Sequence, residues 1–270
     1  MSFANQFKLL CALPLFSGLL LSVMFLVGYF NGFTDPAFTG LFYVHVVALA
    51  FAVAISFLSF IQLSLQSRWH VPIALFSLFF FVAVSVALGA LPAVSRDALI
   101  HHLAVPKLWL QSGAVTEISW HEWSYYPMLL QIGFVGFLQN GLVGCTPLYH
   151  ASYLWICAGI LSLFVFERHK DSRLAIVAHL VLLSLPICFR LSTESLVDLG
   201  LVLYCGIATV LALEWADGKR PLAGCIGVGL ALGFACATKY NGMLFAALFL
   251  LCLLQLGVRA KRGALSSLMF

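Results

Sequence analysis

The chain has 270 residues, of which 63% are hydrophobic and only 9% are charged. Ordinary soluble domains are about 25% charged, so this composition excludes one. The apolar runs are long and continuous, whereas the strands of a membrane β-barrel alternate in polarity. The net charge of +4 comes from short segments between apolar runs and does not indicate nucleic-acid binding. We therefore expect an all-α, polytopic membrane protein.

Eight apolar segments predict transmembrane helices, because each is long enough to cross a hydrocarbon layer of roughly 30 Å. In chain order they cover about residues 8–30, 40–65, 71–93, 147–166, 173–191, 197–215, 221–238 and 241–257. A further apolar stretch, 127–140, is too short for a crossing and suits an interfacial or re-entrant helix.

The positive charges predict the orientation of these spans. They cluster at Arg68, 168–173, 219–220 and 259–262, which the positive-inside rule assigns to the cytoplasm. The number of crossings agrees with these clusters if 127–140 stays on the outer face. We therefore predict a single transmembrane domain over 1–270 with both termini in the cytoplasm. Its parts are three spans within 1–93, an outer loop at 94–146 with interfacial helices, five spans within 147–257 and a cytoplasmic tail at 258–270.

Polar residues concentrate directly after the third predicted span, where ionisable groups are costly and therefore functional candidates. Asp97 is the best catalytic candidate. Desolvation at the interface can raise the pKa of its carboxyl towards the range useful for a base, while Arg96 opposes that shift. The alternative interpretation is that Asp97 only caps the start of a loop helix.

The predicted loop helix, 97–110, carries further candidates. Asp97 and His101 are four residues apart and share a face, whereas His102 is expected to face the side of a partner. His102 and Lys107 can bind phosphate or can simply lie among lipid headgroups. The aromatic residues of the loop either form an interfacial belt or stack on a sugar; they are Trp109, Trp120, Trp123, Tyr125 and Tyr126.

Two later outer turns add acids and a cation. Glu194 and Asp198 are four residues apart on one predicted helical face, although Glu194 has the same spacing from Arg190 and can form a structural salt bridge. Lys239 lies in the other turn and can contact an anionic headgroup. The predicted topology brings these residues to the side that carries Asp97, which indicates an active site. The two acids can bind a divalent ion, but their spacing does not indicate one, and we expect no metal or cofactor.

Three segments resemble membrane glycosyltransferases of the GT-C fold, in the bacterial branch similar to protein mannosyltransferases. The first reads Asp97-x-x-x-His101-His102-Leu103-x-x-Pro106-Lys107-x-Trp109-x-x-x-Gly113, followed by Tyr126-Pro127 near the end of the loop. The others are Val197-Asp198-Leu199 and Gly229-x-x-x-Gly233-x-x-x-x-Thr238-Lys239-Tyr240. The segments occur in the family's order over about residues 90–250, although position 101 is His where the family commonly has Tyr.

This resemblance implies a transferase that uses a polyprenyl-phosphate-linked sugar at the outer face of the bacterial inner membrane. Asp97 would be the base or orienter of the acceptor hydroxyl, and Asp198 would belong to the second acidic site. Glu194, on the same predicted side, is the third catalytic candidate. The donor would bind to Arg96, His101, His102, Lys107, Tyr126, Lys239 and Tyr240. Its lipid tail would lie between spans, in contact with membrane lipid.

Two other functions stay open. Such transferases usually continue with more helices, so a partner subunit could supply them, or the chain could be a truncated, non-catalytic subunit of a GT-C-type complex. The other alternative is a transporter or flippase for a lipid-linked solute, in which the acids and the lysine couple to ions. Repeated halves and broken helices near the membrane midplane, which mark many transporters, are not evident in the sequence.

Overall fold

The computed structural model describes residues 1–68, 71–217 and 221–267, with the side chains of all of these except 221–223 and 256–267. Within these residues the chain is helical and contains no strand. The first helices are α1 (Phe3–Phe30), α2 (Pro36–Ser67), α3 (Val71–Gly89), α4 (Ala104–Ser112), α5 (Gln131–Gln139) and α6 (Thr146–His169). The later helices are α7 (Ser172–Ser184), α8 (Pro186–Leu191), α9 (Asp198–Ala216), α10 (Pro221–Thr238) and α11 (Tyr240–Ser267).

Five helices of the described chain are long and apolar enough to cross a membrane: α1, α2, α3, α6 with the preceding turn, and α9. Shorter apolar helices, Ser172–Ser184, Gly224–Thr238 and Tyr240–Gln255, occupy the segments of the other three predicted spans. The chain is therefore a helical, multi-pass integral membrane protein, as its composition predicts.

Capping residues set the start of several helices. Asp35 directly precedes α2, and its Oδ1 accepts the Ala37 N–H over 2.8 Å. Pro36 suits the first helical position, because it has no N–H that would need an acceptor there. Asp171 caps α7 in the same way, because its Oδ1 accepts the Arg173 N–H over 2.8 Å. Asp35 and Asp171 therefore stabilise the first turns of α2 and α7.

The centre of the bundle is α6, which packs against α1, α2, α7 and α9. Small residues allow this close packing, which is common where membrane helices meet. Gly159 of α6 lies so close to Ser56 of α2 that a Cβ on the glycine would overlap the serine side chain. Ser56 Oγ also donates a hydrogen bond to the Trp155 carbonyl over 2.7 Å, which joins the two helices.

Several helix boundaries differ from the prediction. The fifth predicted span, 173–191, is not one helix, because Pro186 disfavours helical backbone at Leu185 and separates α7 from α8. The third helix ends at Gly89 rather than at residue 93, and α11 continues to Ser267 beyond the predicted end at residue 257.

The apolar stretch 127–140 forms only the nine-residue helix α5, which at 1.5 Å per residue is about 14 Å long and too short to cross a bilayer. Residues 131–137 of α5 are buried inside the protein. The Leu129 N–H, just before α5, donates to the Ala237 carbonyl at the end of α10 over 3.0 Å. The segment 94–146, which is predicted to form the outer loop, is therefore packed against the helical bundle.

The opposite end of the bundle carries part of the predicted cytoplasmic charge. Arg168 at the end of α6 binds Asp217 after α9 through an Nη2–Oδ2 contact of 2.6 Å. Arg68 directly follows α2. Two of the predicted basic clusters cannot be placed: Lys219 and Arg220 lie outside the described residues, as do the side chains of Arg259, Lys261 and Arg262.

Candidate functional site

Asp97 contacts two histidines. Its Oδ1 lies 3.9 Å from His101 Nδ1, and its Oδ2 lies 3.4 Å from His102 Nε2. The predicted helix 97–110 is interrupted, because Ala98–His102 forms a π-helical turn before α4 begins. A π-helix has i→i+5 periodicity, so residues four and five positions after Asp97 reach the same side. The carboxylate therefore contacts His102 as well as His101, which the spacing of a regular α-helix does not predict.

The alternative role of Asp97 as a helix cap is also wrong. Its side chain makes no capping hydrogen bond, and Ser95 Oγ instead accepts the Ala98 N–H over 3.2 Å. The carboxylate is about half exposed and is left to face the imidazoles.

The pKa of Asp97 is shifted in the opposite direction from the one expected. Contact with His102 lowers it most, partial burial opposes that effect, and the charges of His102, Lys239 and His101 lower it further. Asp97 is therefore a carboxylate at neutral pH and a weaker base than an ordinary aspartate.

The two imidazoles are buried and stacked, with ring centroids 4.2 Å apart. Burial lowers the pKa of His101 to about 4, and His102 adds to the shift, which Asp97 partly opposes. His101 is therefore neutral at pH 7 and can accept a proton or a metal ion through a ring nitrogen.

Aromatic rings pack around His101. Trp123 and Tyr126 lie with their ring centroids 5.8 and 5.6 Å from the His101 ring. Tyr240 packs against Tyr126 at 5.0 Å, and its hydroxyl donates to the Tyr125 carbonyl over 3.2 Å. The start of α11 is thereby joined to the outer loop beside the histidines.

Lys239 reaches the site from the turn between α10 and α11. Its Nζ donates to Asp198 Oδ1 over 2.8 Å, and its positive charge acts on both Asp97 and His101. The turn is tight, because a Cβ on Gly242 would overlap the Ala235 carbonyl. The glycine thus permits the close approach that positions Lys239.

Glu194 does not share a helical face with Asp198, because α9 begins only at Asp198 and Glu194 lies in the preceding turn. Glu194 instead pairs with Arg190, at 3.6 Å between Nε and Oε1. Glu194 also lines a separate cavity of about 200 Å³, together with Ser95, Ala98 and residues 91–94. The structural salt bridge considered for Glu194 is therefore present.

The other two predicted cations, Arg96 and Lys107, are exposed on the outer loop. In the described part of the chain neither forms an ion pair. They remain accessible to an anion from solution or from the membrane surface, whereas Lys239 is held in place.

Tyr126 lines an apolar cavity of about 460 Å³. Its volume lies in the usual range for small-molecule sites, about 300–1,000 Å³. The lining is Ser22, Phe25, Leu26, Trp109, Ser124, Tyr126, Pro127, Met128, Leu129 and Ala237. Tyr126 therefore belongs both to this cavity and to the aromatic cover of His101.

Two residues outside the predicted site also organise this region. Gln131 on α5 is buried, and its Nε2 lies 3.0 Å from His102 Nδ1. His150 on α6 accepts the Leu199 N–H at Nε2 over 2.9 Å, and its Nδ1 lies 2.9 Å from the carbonyl oxygens of Leu191 and Glu194. Both are polar residues in apolar stretches, which is the one signal that the sequence offers for them.

Comparisons with protein-family models, with curated proteins and with solved structures found no match. The fold and the site therefore define a class, a helical multi-pass membrane protein with a carboxylate–imidazole cluster beside an apolar cavity.

Proposed function

We propose that the chain is a membrane glycosyltransferase that moves a sugar from a polyprenyl-phosphate-linked donor to an acceptor. The observation that carries the proposal is the position of Tyr126, which lies between a polar cluster and an apolar cavity. A lipid-linked sugar has the same division, since a charged phosphate joins a polar sugar to a hydrocarbon tail. The short motifs that resemble GT-C transferases support the same reaction.

Asp97 orients the acceptor in this proposal. Its carboxylate is partly exposed and ionised, so it can accept a hydrogen bond from an acceptor hydroxyl. The lowered pKa makes it a weak base, and its main contribution is to position the hydroxyl and to take up its proton as the new bond forms.

Lys239 stabilises the departing phosphate, because a fixed cation lowers the energy of a charge that develops in the transition state. Asp198 is then a positioning residue, since it holds the lysine Nζ at 2.8 Å. Arg96 and Lys107 supply further donors for the phosphate, and Tyr240 holds the turn beside the outer loop.

The lipid tail occupies the apolar cavity between α1 and the outer loop. Phe25, Leu26 and Trp109 supply apolar lining, and the cavity has little polar surface. Aromatic residues such as Trp123 and Tyr126 offer faces on which the sugar can stack, next to the carboxylate.

The proposed topology keeps eight crossings, with both termini in the cytoplasm of a bacterial cell and the site at the outer face of the inner membrane. Support comes from the shorter apolar helices, which occupy the segments of the remaining spans. The basic ends of α2 and α6 agree with the positive-inside rule.

The test is sugar transfer by the purified chain in lipid, using a panel of polyprenyl-phosphate sugars. We expect turnover with one donor and its loss in Asp97→Asn, with helix content and melting unchanged. Asp35→Asn is the matched control, because asparagine also caps a helix and Asp35 lies at the start of α2. Full activity in a folded Asp97→Asn protein would exclude the assigned role, and lipid flipping without transfer would favour a flippase.

A further inference from the structure

The Asp97 cluster has the composition of a metal site. One carboxylate oxygen and one nitrogen from each of His101 and His102 lie within 4.8 Å of one another. Two imidazoles and one carboxylate are a common set of protein ligands for Zn²⁺, whereas Mg²⁺ and Ca²⁺ prefer oxygen ligands. The cluster therefore differs from the two-acid arrangement that the sequence suggested for a divalent ion.

The geometry is close to that of a bound ion. Two ligand atoms at about 2.0–2.1 Å from a tetrahedral Zn²⁺ are roughly 3.3 Å apart. Asp97 Oδ2 is 3.4 Å from His102 Nε2, Asp97 Oδ1 is 3.9 Å from His101 Nδ1, and the three ligand atoms would converge from within 4.8 Å of one another. At 3.4 Å the Asp97–His102 contact is longer than an ordinary N–H···O bond, about 2.7–3.2 Å, and this spacing can also hold an ion between the two atoms.

Three buried atoms in and beside the cluster point to a ligand. In the described part of the chain, His101 Nε2, His102 Nε2 and Gln131 Oε1 are buried without a hydrogen bond of normal geometry. His102 is only 1% exposed, and its Nε2 is the atom directed at Asp97. Buried polar atoms are rarely left in this state, because each one carries a desolvation penalty.

Gln131 explains how His102 can offer a free electron pair. The glutamine Nε2 donates to His102 Nδ1 over 3.0 Å, which places the ring proton on Nε2. A 180° rotation of the Gln131 side-chain amide exchanges its nitrogen and oxygen, and the side chain occupies nearly the same space afterwards. Gln131 Oε1 then accepts the proton from Nδ1, and the lone pair of Nε2 faces Asp97. Two lone pairs in that position repel each other unless a cation lies between them.

We propose that Asp97, His101 and His102 bind a Zn²⁺ ion, with Gln131 orienting His102. Metal-bound histidines nearly always donate their other ring N–H to such a partner. Three protein ligands leave a fourth position open, and the half-exposed Asp97 leaves that position accessible from outside the protein. The open position fits an oxygen ligand such as water, a hydroxyl or a phosphate. This inference does not depend on the transferase proposal.

The first test is Zn²⁺ binding by the full chain in lipid discs, measured calorimetrically after treatment with a chelator. We expect one ion per chain, and at least a tenfold loss of affinity in His102→Ala. The matched control is His169→Ala, because His169 is an exposed imidazole at the far end of α6. Binding that is absent, or equal in His102→Ala and the unmodified chain, would overturn the proposal.

Two variants of Gln131 separate metal binding from packing. Glutamate accepts the Nδ1 proton of His102 more strongly, so Gln131→Glu should retain or raise the Zn²⁺ affinity. Gln131→Leu has no acceptor and should lower the affinity by about 10–100-fold, the usual effect of removing such a partner. If Gln131→Glu and Gln131→Leu both fold and bind Zn²⁺ with equal affinity, the role of Gln131 and the assigned geometry are contradicted.

The eight cysteines require a spectroscopic check, because thiolates also bind Zn²⁺. Co²⁺ in place of Zn²⁺ gives visible absorption, and sulfur ligands add a separate charge-transfer band. We expect the Co²⁺ spectrum to lack the sulfur charge-transfer band. We also expect His102→Ala to abolish the visible Co²⁺ absorption. A sulfur band that survives the substitution would assign the ion to cysteines and overturn the site.

Discussion

Lys239 and Asp198 form an ion pair of 2.8 Å that joins the turn between α10 and α11 to the start of α9. Both side chains are about 30% exposed, so water screens the pair only in part. The pair links two parts of the chain that are far apart in sequence. It thereby fixes the position of Lys239 beside the outer loop.

A double-mutant cycle measures this coupling. We expect Lys239→Ala and Asp198→Ala to destabilise the protein by less when combined than the sum of the single effects, with a coupling free energy of about 1 kcal/mol. The measurement is equilibrium unfolding in mixed micelles. The control is Arg190 with Glu194, a pair that is 3.6 Å apart and has 72% of the arginine exposed. A larger coupling in the control pair would contradict the prediction.

Gly242 provides a second prediction, on the same turn. Gly242→Ala should destabilise the protein by about 1–3 kcal/mol, because the added Cβ overlaps the Ala235 carbonyl and forces α10 and α11 apart. Gly233→Ala is the control, since its Cβ would meet no atom within 4 Å and alanine favours a helix. Unfolding in micelles compares the two, and equal stability of both variants would argue against the tight turn.

The all-helical membrane fold was predictable, because long apolar segments leave few alternatives. The break at Pro186 has a clear sequence signal, but a continuous apolar run concealed it. The π-helical turn at Ala98–His102 has no such signal, and without it the contact between Asp97 and His102 cannot be foreseen. The direction of the Asp97 pKa shift depends on that contact, so the sequence favoured the wrong direction.

The assignment of site residues was limited for the same reason. Asp198 and Lys239 lie together because packing of α9 against α10 brings their ends together, which a topological argument suggests but cannot specify. Glu194 was grouped with Asp198 because residues four apart share a face inside a helix. However, α9 begins only at Asp198, so Glu194 lies outside it. Gln131 was missed because it lies in an apolar stretch, and its contact with His102 depends on tertiary packing.

The orientation in the membrane gives a third prediction. A cysteine at Ser119, which is exposed in the outer loop, should react with an impermeant thiol reagent added to whole cells. A cysteine at His169, which is exposed at the end of α6, should react only after the membrane is permeabilised. Labelling is measured above that of the unmodified chain. The reverse pattern would invert the proposed topology.

The apolar cavity gives the last prediction. Leu26→Trp places a large ring in the cavity lining and should weaken binding of a polyprenyl monophosphate by about tenfold, or 1.4 kcal/mol. Leu19→Trp is the control, because Leu19 is an exposed residue of the same helix that does not line the cavity. Binding is measured by titration of the lipid into both variants in discs of a neutral phospholipid. A loss of affinity that is equal in both would mean that the tail binds to α1 elsewhere than in this cavity. Unchanged affinity in Leu26→Trp would exclude the cavity as the tail site and leave the polar cluster without its proposed lipid neighbour.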